Sequence, residues 1–188
     1  AGFDVTVFEK NSSPGGRARK FGSQGFTFDM GPSWYWMPDV FEEFFGYFGK
    51  KPSDYYDLVR LDPSYRIVYS STDKLDIPAG VEKLCALFDL LEPGSSAQLL
   101  KFLDEGKFKY EIGIHDLVHK PGLSVTEFLD MELFKGVFKL HVFESISSYI
   151  RKFFKDPKLV QLLEFPVPFL GAKLSHTPAL SSLMNYAD

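Results

Sequence analysis

The first fifty residues alternate short apolar runs with glycine-rich punctuation. Residues 5–8 are almost wholly apolar, which is typical of a strand buried on both faces of a parallel sheet. A Pro-Gly-Gly sequence at residues 14–16 predicts a loop after it. Phe26 and Phe28 alternate with polar neighbours, which predicts a second brief strand. Residues 38–49 begin with Pro-Asp and end with glycine, as a helix does.

The pattern changes to a period of two in residues 57–78. Three short β segments are predicted there, separated by Asp62-Pro63 and by the Ser-Thr-Asp sequence at residues 71–73. Tyr65, Ile67 and Tyr69 fall on one face, as an antiparallel meander requires.

The remaining chain has mainly helical periodicity. Helices are predicted over residues 81–94 and over an amphipathic stretch that ends at residues 121–122. Ser124 and Glu127 have the spacing of a capping box. A further helix is expected to begin with Asp156 as its N-cap. One helical stripe between these features comprises Phe138, Val142, Ile146, Tyr149 and Phe153.

Composition and charge exclude several classes of function. The net charge of −4 argues against a nucleic-acid-binding protein. A single cysteine, Cys85, excludes an internal disulfide framework, and we expect it to pack on a helix as a small apolar residue. The four histidines form no metal-binding signature, so no metal site is predicted. Twenty phenylalanines fit either a Phe-rich core or a surface that meets long apolar molecules.

Two features near the beginning of the chain suit a dinucleotide. Glu9 follows an apolar strand, where a carboxylate can accept hydrogen bonds from two ribose hydroxyls. Gly15 and Gly16 allow backbone N–H groups to approach an anion, and Arg17 can donate to pyrophosphate oxygens. Each feature alone also fits an ordinary strand end or surface turn. Their ordered combination favours a nucleotide site.

A third feature follows the Phe26–Phe28 strand. Gly31, Pro32 and Ser33 would let a flat ring lie against the backbone, although a plain turn explains the same residues. The glycine-rich phosphate loop, expected about 20 residues before the acid, is not in the chain. We therefore expect the chain to be an internal part of a longer protein.

Taken together, residues 8–45 resemble the superfamily of flavin-binding amine oxidases and carotenoid desaturases, and within it the bacterial phytoene desaturases. The likeness continues in "LDPSYRIVY", "LEPGSS" and "DPKLVQLLEFPVPFLGAKLSHTPALSSLMNYAD". It implies an α/β plus α+β fold: residues 1–54 as part of a Rossmann-like FAD-binding domain, and residues 55–188 as a mostly helical substrate domain with a small antiparallel sheet.

The resemblance also implies a reaction and roles for residues. FAD is the expected cofactor, with Glu9 at the adenosine ribose, Gly15, Gly16 and Arg17 at the pyrophosphate, and Gly31, Pro32 and Ser33 near the isoalloxazine ring. The expected reaction introduces C=C bonds into phytoene or a related C40 polyene. Alternatives within the superfamily are a carotenoid isomerase, a saturase or an amine oxidase. A non-enzymatic alternative is that these 188 residues in isolation bind no flavin.

Two expectations concern the substrate side. Related sequences carry an acid where this chain has Asp156, so a proton-handling role competes with simple helix capping. Residues 135–158 are basic and aromatic, which fits either a peripheral membrane surface or a core-facing stripe with a solvated basic face. We expect a cytoplasmic location, on the inner face of the cell membrane. The basic residues of this segment are Lys135, Lys139, Arg151, Lys152, Lys155 and Lys158.

Overall fold

The computed structural model describes residues 2–31, 34–118, 141 and 143–187. The chain divides into two compact units, Ala1–Lys51 and Pro52–Asp188. The described elements of the first unit are strands β1 (Lys20–Ser23) and β2 (Phe26–Asp29) and helix α1 (Pro38–Gly46). Those of the second are strands β3 (Tyr65–Val68) and β4 (Lys74–Ile77) and helices α2 (Val81–Leu91), α3 (Ser95–Tyr110), α4 (Ile146–Phe153), α5 (Pro157–Glu164) and α6 (Leu183–Ala187).

Strands β1 and β2 form an antiparallel hairpin in which Lys20 pairs with Asp29 and Ser23 with Phe26. Gln24 and Gly25 make the turn, and both have positive φ values, 49° and 83°. This conformation suits the right-handed twist of a two-residue hairpin. Phe21 and Phe28 stack across the strands with ring centroids 5.1 Å apart. The predicted strand at Phe26–Phe28 is therefore confirmed.

The predicted strand at residues 5–8 is not formed. Residues 2–9 have no regular secondary structure, and the side chains of Val7 and Phe8 are 84% and 92% exposed. A strand is stable only when a neighbour accepts its backbone hydrogen bonds. In the part of the chain that the structure describes, β1 and β2 pair with each other and no strand pairs with residues 5–8.

Strands β3 and β4 form the second hairpin, with Tyr65 opposite Ile77 and Val68 opposite Lys74. Tyr65 and Ile67 lie on the more buried face, as the alternation predicted. Across the exposed face, the Arg66 guanidinium makes a two-pronged hydrogen bond to Asp76. The prediction of a further β segment at residues 57–61 is wrong, since those residues form no strand.

The helices of the second unit surround one core, to which α2, α3 and α4 contribute the aromatic rings Phe88, Phe102 and Tyr149. Phe102 on α3 lies edge-on to Phe153 and Phe154, with centroids 5.6 Å and 6.1 Å away. Cys85 packs against this cluster from α2, as expected. The fully buried core residues include Phe88, Leu99, Phe102, Ile146, Ile150, Phe154 and Leu159.

Helix α3 is shorter than the predicted amphipathic stretch. It continues as a π-helical segment, Glu111–Leu117. In the C-terminal half of α3, Gly106 permits close contact with α6 and the residue before it, because a Cβ there would lie 3.2 Å from the Ser182 carbonyl oxygen and 3.3 Å from the Tyr186 Cβ. The predicted capping box of Ser124 and Glu127, together with Phe138 and Val142 of the apolar stripe, lies outside the described residues. Among those described, no helix is long and apolar enough to cross a membrane.

Candidate functional site

Gly31 brings the end of the β1–β2 hairpin against the glycine loop. Its φ is 144°, and a Cβ at this position would lie 2.1 Å from the backbone oxygen of Arg17. Real Cβ atoms do not approach so closely, so only glycine fits here. The Met30 N–H also donates to the Arg19 carbonyl oxygen at 2.8 Å. The structure therefore joins two of the three features that the sequence singled out.

Both glycines of the pair have positive φ values, which L side chains rarely adopt. Gly15 and Gly16 have φ values of 123° and 53°. Gly15 precedes a short 3₁₀ turn, Gly16–Ala18, and its carbonyl oxygen accepts from the Ala18 N–H at 2.8 Å. The Arg17 side chain is exposed. Backbone amides at such a turn, with a guanidinium beside them, are chemically suited to pyrophosphate oxygens.

Glu9 is an exposed carboxylate that already accepts local hydrogen bonds. Its Oε1 accepts from the backbone N of Asn11 at 2.8 Å and from the Asn11 side-chain amide at 2.7 Å. These bonds, the backbone one foremost, lower the pKa of Glu9 below its ordinary value. The group is therefore a charged acceptor at neutral pH, which is the state needed to hold ribose hydroxyls.

The residues that follow Gly31 are only partly described. Pro32 and Ser33, predicted near the flavin ring, lie outside the described residues. Beyond them, the rings of Trp34 and Trp36 stack 6.3 Å apart. Met37 then caps α1 with a positive φ of 55°. No pattern in the sequence indicates this left-handed methionine.

Asp156 caps helix α5, as its place before Pro157 predicted. Its Oδ1 accepts from the backbone N atoms of Lys158 and Leu159 at 2.8 Å and 3.3 Å. The Asp156 N–H in turn donates to Glu92 at 2.9 Å. These bonds account for the residue structurally. A role in proton handling stays a prediction.

Three described cations of the basic segment form ion pairs within the second unit. Arg151 lies 2.6 Å from the buried carboxylate of Glu164, and Lys152 lies 2.6 Å from Glu144. Lys158 pairs with Asp73 at 2.7 Å. On α4, Ile146 and Tyr149 are buried and Phe153 packs against the core. The described part of the stripe therefore faces the core, while Lys135 and Lys139 lie outside the described residues.

A buried polar cluster around Lys109 was not predicted. The Lys109 amine is fully buried, donates to the Ser182 hydroxyl at 2.9 Å, and lies 4.0 Å from the Tyr149 ring centroid. The Tyr149 hydroxyl donates to Glu105. Burial lowers the pKa of Lys109 to about 8, and burial together with the bond to Glu105 raises the pKa of Tyr149. In the sequence, Lys109 resembles any other helical lysine, so no local signal could have identified it.

Comparison with known proteins identifies a family whose sequence model matches the chain. The sequence model of the flavin containing amine oxidoreductases matches residues 1–188. A carotenoid 3,4-desaturase of Haloarcula japonica is 39% identical over 189 residues, covering 100% of this chain and 38% of that protein. A zeta-carotene-forming phytoene desaturase of Myxococcus xanthus is 34% identical over 190 residues, covering 100% and 36%.

A third relative comes from Staphylococcus aureus (strain Newman), a 4,4'-diapophytoene desaturase (4,4'-diaponeurosporene-forming). It is 31% identical over 183 residues, covering 97% of this chain and 36% of that protein. The chain thus spans little more than a third of the length of these curated relatives. The activities in their names belong to proteins much longer than this chain.

Proposed function

The chain belongs to the family of flavin containing amine oxidoreductases, and on this premise we propose that the complete protein is an FAD-dependent carotenoid desaturase. Its substrate in this proposal is phytoene or a related C40 polyene. The observation that carries the proposal is that three relatives matching at least 97% of the chain are all desaturases by name, and two of those names specify phytoene or a carotenoid.

Family membership implies an FAD-binding Rossmann-like fold. We propose that residues 1–54 belong to its FAD-binding domain and residues 55–188 to the substrate domain. The division of the chain near residue 51 supports this assignment. The two small antiparallel hairpins and six described helices are compatible with it.

The residues of the first unit fit the chemistry of the cofactor. Gly15 and Gly16 would present backbone N–H groups to the pyrophosphate, and the exposed Arg17 would donate to its oxygens. Glu9 would accept from the ribose hydroxyls. Gly31 would hold the end of the hairpin against the Arg17 backbone, so that the glycine loop keeps its shape.

Bound FAD would supply the acceptor for a hydride that leaves one substrate carbon, while a proton leaves the neighbouring carbon and a C=C bond forms between them. The chain's own contribution is to bind and orient an apolar molecule and to exclude water from it. Asp156 is our candidate for receiving the proton. Its carboxylate is close enough to the start of α5 to cap it, so any such role would compete with capping.

The cofactor assignment is tested by Arg17→Ala in the complete protein, with Lys20→Ala as a control that removes an exposed cation from strand β1. A charge-assisted hydrogen bond contributes about 1.5–3 kcal/mol, so FAD affinity should fall roughly tenfold or more. The measurement is FAD binding by the refolded apoprotein. Equal affinity in the two variants would remove Arg17 from the site.

The reaction is tested by expressing the complete protein in bacterial cells that accumulate phytoene and extracting their pigments. Loss of phytoene with appearance of coloured polyenes is expected. Unchanged phytoene in cells holding soluble, flavin-loaded protein would contradict the proposal and favour a carotenoid isomerase, a saturase or an amine oxidase.

We propose further that the protein acts at a membrane surface facing the cytoplasm, where a lipid-soluble substrate would collect. The basic composition of residues 135–158 supports this. Flotation with anionic liposomes provides the test, using Lys155→Glu with Lys74→Glu as control, since both lysines are exposed and only the first lies in the segment. Each basic residue near an anionic surface contributes about 1 kcal/mol, so Lys155→Glu should weaken binding several-fold. Equal flotation of the two variants would contradict the proposal.

A further inference from the structure

A cavity of about 410 Å³ opens within the second unit, and neither Asp156 nor any residue assigned to FAD is among those that line it. Its buried floor is built from strand β4 and helices α2, α3 and α5. None of the floor residues is titratable. They are Ile77, Phe88, Leu99, Leu162 and Leu163.

The mouth of the cavity is also largely apolar. Val81 and Leu100 line it and are 49% and 51% exposed, and Tyr186 lies beside them. The charged lining residues Arg60, Asp104 and Lys107 are all exposed, so they belong to the rim and not to the floor. The cavity therefore combines an uncharged interior with a polar edge, as small-molecule sites do.

The chemistry of the floor determines which ligand it can hold. An ordered water needs two to four polar partners, and leucine, isoleucine and phenylalanine side chains offer none. A charged or strongly hydrated group would lose its water without gaining a hydrogen bond. A hydrocarbon loses nothing of this kind, and its burial removes apolar surface from water on both sides.

We propose that this cavity binds an extended apolar chain, which is one end of the polyene substrate. The identity of that chain rests on the proposed function. Because the floor has no acid or base, the cavity positions the molecule and takes no part in bond breaking.

The test uses the complete, flavin-loaded protein and the fluorescent probe diphenylhexatriene, an apolar rod-shaped polyene. Leu100→Trp places a larger side chain at the mouth, and Leu90→Trp is the matched control, since Leu90 is 78% exposed on α2 and does not line the cavity. Val81→Asp is the second variant. It introduces a charge at the first position of α2, where an acidic residue is favourable for the helix.

We expect Leu100→Trp and Val81→Asp each to weaken probe binding at least about tenfold, the scale on which hydrophobic pockets respond to a misfit. Leu90→Trp should bind like the wild type. Wild-type affinity in both cavity variants would overturn the proposal.

Phytoene turnover by the same proteins separates this inference from the proposed function. Impaired turnover by both cavity variants, with unchanged FAD content, would support both. Normal turnover by the variants would overturn the cavity as a substrate site while leaving the desaturase intact. A wild type that binds the probe in a variant-sensitive manner but never consumes phytoene would refute only the desaturase, and would support the cavity as a site for apolar chains.

Discussion

The buried amine of Lys109 leads to a quantitative prediction about pH and stability. Its immediate partners are the Ser182 hydroxyl, the Ala179 carbonyl oxygen and the Tyr149 ring. The negative charges of Glu105 and Glu144 lie near enough to favour its protonated form. Burial outweighs those charges and lowers the pKa of Lys109 from 10.5 to about 8. Replacing Lys109 with methionine keeps an unbranched side chain that is one heavy atom shorter, and it removes the titrating amine.

The sign of the effect follows from proton linkage. Since the folded pKa lies below the unfolded one, the unfolded chain binds more protons between about pH 8 and pH 10.5, and the free energy of unfolding rises with pH in that window. At about 1.4 kcal/mol for each pH unit, the full gain is roughly 3 kcal/mol. Between about pH 7 and about pH 9.5 roughly 2 kcal/mol of this gain should be observed.

The assay is urea unfolding of the complete protein at several pH values, followed by the fluorescence of its tryptophans. The informative quantity is the difference between wild type and Lys109→Met, because titrating groups distant from Lys109 cancel in it. Measurements should stop below about pH 10, where ionisation of Tyr149 in the unfolded chain would begin to act in the opposite direction.

Lys101→Met is the matched control, since Lys101 is an exposed lysine in the same helix. Its unfolding curve should run parallel to that of the wild type across the pH range. If the unfolding free energy of Lys109→Met also runs parallel to that of the wild type across the pH range, burial does not lower the pKa of the Lys109 amine, and the prediction is refuted.

Two further predictions concern positions that the sequence had already indicated. Gly31→Ala should destabilise the glycine loop by at least about 1–3 kcal/mol and lower FAD content, because a Cβ would collide with the Arg17 backbone. Gly46→Ala is the control, since a Cβ there would meet nothing within 4 Å. Equal FAD content in the two variants would contradict the close approach of Gly31 to Arg17. Asp156→Ala should cost about 1 kcal/mol through loss of the α5 cap, whereas Asp156→Asn keeps capping ability; a stable Asp156→Asn protein that no longer consumes phytoene would show that the carboxylate does more than cap the helix.

The local features of the chain were largely predictable. The φ-permissive glycines, the alternation of Tyr65 and Ile67, and the Asp-Pro start of α5 each depend on interactions between residues close in sequence. Such interactions leave a local pattern of residue types that can be recognised in the sequence. Residues 5–8 are the exception, because their apolar pattern predicts a strand whose partners must come from elsewhere in the fold.

What only the tertiary structure decided is which of the chemically similar residues are buried together. The sequence has many lysines, yet packing of α3 against α4 and residues 179–182 desolvates Lys109 and leaves Lys101 in water. The cavity likewise exists because leucines from three helices leave part of the space between those helices unfilled. The residue pattern of each helix alone does not predict this cavity. The burial of a residue and the shape of a cavity depend on many residues that are distant in the chain. They therefore follow from how the helices and strands pack and not from any one segment.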